Sequence, residues 1–316
     1  MTSIVPPTLP ERHLDTPASS IGELLASKAI DAVAAIRAKL DDSVQSRILA
    51  ALGDERLLAQ VKADTCLLPG PADREGYAPD DDIDYWVSGL ADAVYINDLI
   101  KTYLGKAERD ELAVFDFGCA SGRVLRHIPL VRSGVVMGCD FNPTYVEFIR
   151  SYLATNTFAF LNMRFPPLPI KEKSIDFLYA ISVFTHIDEF EDAWLAEIAR
   201  ILKPGGIAFI TLHTERSLQE MTPGHFLYDY ILNQHSASGP GCYQPIADHK
   251  FLSLRDFKDR LVFTRLDRQL TDSNLFQVFH HLDYIRTRWG KLFTLEDVIQ
   301  QAHGQHQDGI VLRAKP

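Results

Sequence analysis

Val114 to Ile128, VFDFGCASGRVLRHI, decides the fold. Its first residues, V-F-D-F, are mostly apolar and read as a buried strand, after which Gly118, Ala120 and Gly122 place small residues at alternate positions of a turn, and Arg123 to Ile128 is expected to open a helix. A strand that passes through such a turn into a helix is the first step of an open parallel sheet. In such a sheet, ligands sit beyond the carboxyl ends of the strands, where backbone N–H groups face them.

Outward from this stretch the same rhythm continues. Short apolar runs at 112–118, 134–140, 157–163, 175–182 and 206–213 read as strands, and amphipathic helices are expected near 144–153 and 189–202. Two further strands, 292–299 and 308–314, are separated by too short a link for a parallel crossover, so they are expected to pair as an antiparallel hairpin. The long interruption at 214–291 is rich in histidine and aromatic residues, and a connection of that length usually carries structure of its own. Before the sheet, Ser20 and Glu23 make a capping-box pattern ahead of a helical run, and a second run covers 43–61. The breaker LLPGPADREG (67–76) and the acidic turn PDDDIDYWVSG (79–89) then lead into a helix over 90–105 that ends at Gly105. The expected organisation is an arm and helical cap at 1–105 and a sheet domain at 106–316, with 214–291 as a lid or acceptor insertion.

Composition removes several classes. A net charge of -10 speaks against a nucleic-acid partner, which needs a basic face. Cys66, Cys119, Cys139 and Cys242 are scattered without a C-x-x-C pair, so no zinc ribbon or disulfide framework is expected, and a reducing cytoplasm fits. The first residues lack a basic segment followed by an apolar one, and no apolar run is long enough for membrane insertion. No cluster has metal-ligand spacing, so no metal is expected.

The turn itself reads Asp116-x-Gly118-x-Ala120-x-Gly122. It is neither G-x-G-x-x-G nor a P-loop, and an acid just before the first glycine would repel a pyrophosphate, so the turn suits a cationic ligand. The second strand ends in Asp140, where one carboxylate can accept from both hydroxyls of a ribose. This D-x-G-x-A-x-G turn, the acid ending the second strand, ARILKPGGIAFITLH through the fifth strand and the closing hairpin resemble the class I S-adenosylmethionine-dependent methyltransferases, of the type 11-like kind. The resemblance implies a Rossmann-like seven-stranded α/β sheet with an antiparallel last strand.

It also implies roles. Gly118, Ala120 and Gly122 would pass the backbone beneath the methionine and adenosine, Asp116 would lie near the ammonium group or its ordered water, Asp140 would hold the ribose and Phe141 would lie on the adenine. Many relatives place an acid after the third strand, where this chain has Asn162 and Met163; the amide and the next backbone N–H are expected to read the ring instead. Ser182, Phe184 and His186 in ISVFTHIDE would face the sulfonium and the acceptor. His186, with His213 and a histidine of the lid behind it, is the expected general base, although His186 could equally cap the following helix or fill space beneath the lid. His280 and His281 are adjacent and point apart, the aspartates at 80–84 read as a solvated loop, and Trp289 is expected to pack beneath the lid. The expected activity is S-adenosylmethionine-dependent O-methylation of a sugar, a glycan or another small hydroxylated acceptor; a module that binds the cofactor without turnover is the alternative.

Overall fold

The computed structural model describes residues 66–78, 80–153, 156–238, 254–265 and 276–316. The expected N-terminal arm and the helical runs up to residue 61 lie outside the described residues, as do Cys242 and the middle of the insertion.

Five parallel strands form the frame: β1 (Leu112–Phe117), β2 (Gly134–Asp140), β3 (Thr157–Leu161), β4 (Ile175–Ala180) and β5 (Leu202–Thr214). β1 pairs on one side with β2 and on the other with β4, so the winding reverses between β1 and β4 and opens a crevice at their carboxyl ends. The last two strands, β9 (Phe293–His303) and β10 (Gln307–Ala314), are the expected hairpin. β10 lies antiparallel between β5 and β9, which completes the seven-stranded order β3-β2-β1-β4-β5-β10-β9.

The sheet continues beyond seven strands. The insertion supplies β6 (His235–Ser238), β7 (Arg260–Arg265) and β8 (Phe276–His280), and β8 joins parallel to the far end of β5 through His213↔Phe279 and Thr214↔His280. At 13 residues, β5 is long enough to pair with β4 and β10 along its body and with β8 at its tip.

Alternation along the strands builds a core on each face. Leu112 and Val114 point to one layer, and Phe115 and Phe117 point to the other. The first layer is closed by α1 (Asp82–Leu104) through Ala93, Ile96, Leu99 and Ile100, and by α2 (Ile128–Val131) and α3 (Pro143–Tyr152). α1 therefore belongs to the sheet's own core, although it precedes the expected boundary at residue 106. The second layer is closed by α4 (Glu191–Ile201) and by α7 (Leu282–Arg288), the helix between β8 and β9. The shorter α5 (Glu215–Glu220) and α6 (Phe226–Gln234) pack within the insertion on Phe263 and Phe279.

Three local expectations are corrected. The helix expected over Arg123 to Ile128 is instead a run of turns, and α2 begins only at Ile128. Pro129 lacks an N–H and would break a helix already under way, but it is tolerated in the first turn of a new one. The acidic stretch is not a loop before a helix at 90: α1 starts at Asp82, with the Asp81 side chain accepting from Asp84 N at 2.8 Å. Carboxylates near a helix N-terminus offset its dipole and its unpaired N–H groups. Phe184 does not face the crevice, being fully buried between Phe117 and Trp289.

Two close packings hold these layers in place. Gly89 on α1 lies against the turn after β1, and an added Cβ there would come to 2.2 Å from the Arg123 carbonyl oxygen. Backbone cannot yield as a side-chain tip does. Gly89→Ala is therefore expected to cost about 1–3 kcal/mol through overpacking, read as a lower urea midpoint at unchanged slope. On the other face, the Glu191 carboxylate is 3% exposed and gathers four donors: Arg260 Nη1 (2.7 Å), His280 Nε2 (2.8 Å), Tyr284 Oη (2.9 Å) and Trp289 Nε1 (2.9 Å). It joins α4 to β7, β8 and α7. His280 is thus committed to a buried structural pair, and His281 caps α7 by accepting from Asp283 N.

Candidate functional site

The crevice is built by three consecutive strand ends tied to one another. Gly118 N and Cys119 N both donate to Cys139 O at 2.9 Å, which brings the turn after β1 against the end of β2. Asp140 then closes the turn: its Oδ2 accepts from Ala120 N (3.0 Å) and its Oδ1 from Asn142 N (2.8 Å). Asn162 N donates to Asp140 O at 3.1 Å, so the residues after β3 join the same cluster. Gly118 has φ +80, and a Cβ there would lie 2.4 Å from Val183 Cγ2. Only glycine combines that conformation with the close approach of the loop after β4. Ala120, at φ 45, holds a left-handed conformation unfavourable for a residue with a Cβ, a kind of strain that clusters at functional sites.

Two buried carboxylates share this end of the sheet. Asp116 is 4% exposed, and burial pushes its pKa up to about 8, against the opposing pull of the Tyr179 phenol and the Arg123 guanidinium. Asp140 is 8% exposed; burial raises it to about 6, while the N–H groups of Asn142 and Ala120 hold it down. Beside them Phe141 carries the Arg164 guanidinium 4.7 Å above its ring. Asn162 Nδ2 donates to Met163 O at 2.7 Å, and its buried Oδ1 has no hydrogen-bond partner among the described residues. Met163 is 60% exposed at the edge.

Ser182 follows β4 at φ 58, with its N–H on Thr211 Oγ1 at 2.8 Å. Its hydroxyl lies 3.0 Å from Tyr77 Oη and 2.9 Å from Gln307 Nε2. His186 Nδ1 lies 2.8 Å from Phe276 O, and burial lowers its pKa. An N–H on Nδ1 must donate to that carbonyl, which leaves the Nε2 lone pair as the acceptor of a neutral ring. His213 is 2% exposed, with Nε2 3.3 Å from Gln277 Oε1 and its ring stacked between Phe279 and His306. Burial, then the neighbouring His306 and His186, hold it well below the ordinary histidine value.

The expected residues thus fall into two groups. Asp116, Gly118, Ala120, Gly122, Asp140, Phe141, Asn162 and Met163 surround the ends of β1 to β3, whereas Ser182, His186 and His213 lie at the ends of β4 and β5. Sequence reading did not single out the segment that crosses this edge. Residues 66–78 are anchored by Arg126, which donates to the carbonyls of Cys66 and Leu67, and by Ser121 Oγ on Asp73 O. The buried Arg74 donates to Pro69 O and Ala78 O and pairs with Asp82. Three neighbours in this segment, Glu75, Gly76 and Ala78, have positive φ. The available signal was a tyrosine within a breaker, GYAP, ahead of an acidic helix start.

Residues 115–210 match the family described as Methyltransferase domain. A sterol 24-C-methyltransferase of Gibberella zeae is 31% identical over 100 residues, which is 30% of this chain and 26% of that protein, so the chain spans about a quarter of the length of the curated relative it matches. Among solved structures, an S-adenosylmethionine-dependent methyltransferase from Mesorhizobium loti aligns with a TM-score of 0.47 at 12% identity, covering 68% of this chain and 96% of that one. The PH0226 protein of Pyrococcus horikoshii aligns with a TM-score of 0.47 at 17% identity, over 70% of this chain and 88% of that one. The matched residues 115–210 thus span β1 to the body of β5, the part of the sheet where the winding reverses between β1 and β4 and against which the antiparallel β10 lies, and over that span the chain is similar to a methyltransferase domain.

Proposed function

We propose that this chain transfers the sulfonium methyl group of S-adenosylmethionine to a hydroxyl of a small acceptor such as a sugar. The observation that carries the reading is the pair of buried carboxylates, Asp116 and Asp140, at the ends of β1 and β2, both raised by burial, Asp116 in spite of the Arg123 guanidinium. In this reading the ammonium group lies near Asp116 and the ribose hydroxyls donate to Asp140. The turn at Gly118, Ala120 and Gly122 runs beneath the methionine and adenosine. Phe141 covers the adenine, and the unpartnered Asn162 Oδ1 accepts from its amino group, with Met163 N beside the ring. Ser182 marks the sulfonium end. His186 and His213 flank the acceptor as neutral imidazoles.

Bound S-adenosylmethionine supplies an electrophilic methyl group, and the chain's task is to align an acceptor oxygen opposite the sulfur and exclude water. Alignment of that kind is worth about 7–11 kcal/mol in favourable cases. The aromatic and histidine rings of the insertion, with Phe226 edge-on to His306 at 4.8 Å, suit the face of a sugar or planar acceptor.

The carboxylates give a direct test. A bound cation stabilises the ionised form, so S-adenosylmethionine is expected to release a proton near neutral pH and to bind more tightly as pH rises from about 6 to about 8. Calorimetric titrations in phosphate and in Tris, whose ionisation enthalpies differ, count that proton. Equal heats in both buffers would remove the role of the carboxylates, and no binding would remove the reading. Without the ligand, folded Asp116 holds its proton up to about pH 8, whereas an unfolded carboxyl loses it near 3.8, so the folded state binds more protons across that window. Stability of the free protein is expected to fall as pH rises through it.

A further inference from the structure

We infer that Tyr77, His303 and Asp92 form a proton relay at the acceptor end of the crevice, an inference that rests on the methyl-transfer reading above. The three come from a loop, the last residue of β9 and the inner face of α1. Tyr77 Oη lies 3.1 Å from His303 Nε2 and 3.0 Å from Ser182 Oγ, and His303 Nδ1 lies 3.7 Å from Asp92 Oδ2. Asp92 also binds Arg123 Nη2 at 2.6 Å, and the Arg123 guanidinium sits 4.1 Å above the Tyr77 ring. The constellation therefore has a hydroxyl at the sulfonium end, an imidazole behind it, a carboxylate behind that, and a cation over the phenol ring whose pull opposes the burial that raises the Tyr77 pKa.

The alternatives at this edge are less complete. His186 has Nδ1 committed to a backbone carbonyl, and His213 is buried between two rings with Nε2 on Gln277. A carbonyl fixes a tautomer; a carboxylate also stabilises the charge that develops on the ring. His303 is neutral at rest, since burial, Arg123 and His306 outweigh Asp92 and lower it to about 4. Its Nε2 is then free to accept.

The step balances. The acceptor oxygen forms a bond to the methyl carbon as the C–S bond breaks, and that electron pair goes to sulfur, leaving neutral S-adenosylhomocysteine. The acceptor proton passes to Tyr77 Oη while the tyrosine's own proton passes to His303 Nε2. The resulting imidazolium faces Asp92, and solvent removes the proton before the next cycle.

The test uses full-length protein labelled with 15N-histidine, with and without saturating S-adenosylhomocysteine, in wild type and Tyr77→Phe. Phenylalanine keeps the ring beneath Arg123, so the fold is retained. At pH 7 the relay requires His303 to carry its proton on Nδ1 and to present Nε2 as an acceptor, and Tyr77→Phe must shift the Nε2 resonance while leaving S-adenosylhomocysteine affinity unchanged. On any alcohol acceptor the same variant is expected to lower kcat by about 10²-fold or more, the scale of a lost general base, with KM for S-adenosylmethionine unchanged. A proton on Nε2, or an Nε2 resonance indifferent to Tyr77→Phe, overturns the relay. Failure of the wild type to bind S-adenosylhomocysteine would instead overturn the methyl-transfer reading, and the ligand-free spectra would still report the relay geometry.

Discussion

Replacing Glu191 with alanine is expected to destabilise the protein by on the order of 3–5 kcal/mol, the cost of removing one partner from a buried ionic cluster. The loss would leave Arg260, His280, Tyr284 and Trp289 without the acceptor that four of their donor groups share, in a region where His280 and Trp289 are fully buried. Glutamine is the sharper comparison. It keeps the size but turns an N–H₂ toward either Arg260 and His280 or Tyr284 and Trp289, so half of the cluster still loses its acceptor. Urea denaturation of the three proteins measures the effect, and a change below about 1 kcal/mol would place this cluster with solvated surface pairs instead. The pH dependence has a definite sign. Burial alone would raise the Glu191 pKa, but His280 and Arg260 outweigh it and hold the group at about 2, against 4.5 for an ordinary glutamate. Its contribution is therefore complete above pH 4.5 and is lost as pH falls from there toward 2. Wild-type stability should drop across that acid window more steeply than that of the glutamine variant.

Asp140→Ala is expected to weaken S-adenosylmethionine binding by about 1.5–3 kcal/mol, roughly 10- to 150-fold in Kd, the scale of a lost hydrogen bond to a charged group. Two losses combine. The ribose loses its acceptor, and the backbone N–H groups of Ala120 and Asn142 lose the carboxylate that fixes the turn. Calorimetry with S-adenosylmethionine and S-adenosylhomocysteine should show both ligands weakened together, because the ribose is common to them. An unchanged Kd in a folded variant would remove Asp140 from the site.

What could be read from the sequence was what is local. The turn from Asp116 to Gly122 and the acid at Asp140 end two successive strands joined by one short parallel crossover, so their spacing places them at the same sheet edge. The terminal hairpin was legible for the same reason, since a short link between two apolar runs leaves only an antiparallel pairing. Phe184 was misplaced because lying after a strand does not fix which way a side chain turns, and the aromatic faces of Phe117 and Trp289 drew it into the core. The start of α1 was misread because aspartates serve loops and helix N-termini equally well, and only the Asp81 cap distinguishes them. The strands of the insertion were missed because β7 and β8 are short and lie in a polar, histidine-rich stretch. Tyr77 had only its place in the breaker GYAP as a signal, and Asp92 and His303 had none. Their meeting depends on α1 packing against the sheet and on β9 standing outside β10, and tertiary structure alone decides that.

The place of β10 has a consequence for synthesis. Its residues Ile310, Val311 and Leu312 are buried in the interior of the sheet, yet they follow all the other described strands. While a ribosome is still making residue 306, the body of β5 has β4 on one side and an open ladder on the other, with Ile207 to Leu212 waiting for a partner. Such an edge is sticky toward any extended segment nearby. A nascent or truncated chain that stops short of residue 307 thus keeps that edge open, and it is covered only when the eight-residue β10 slots between β5 and β9.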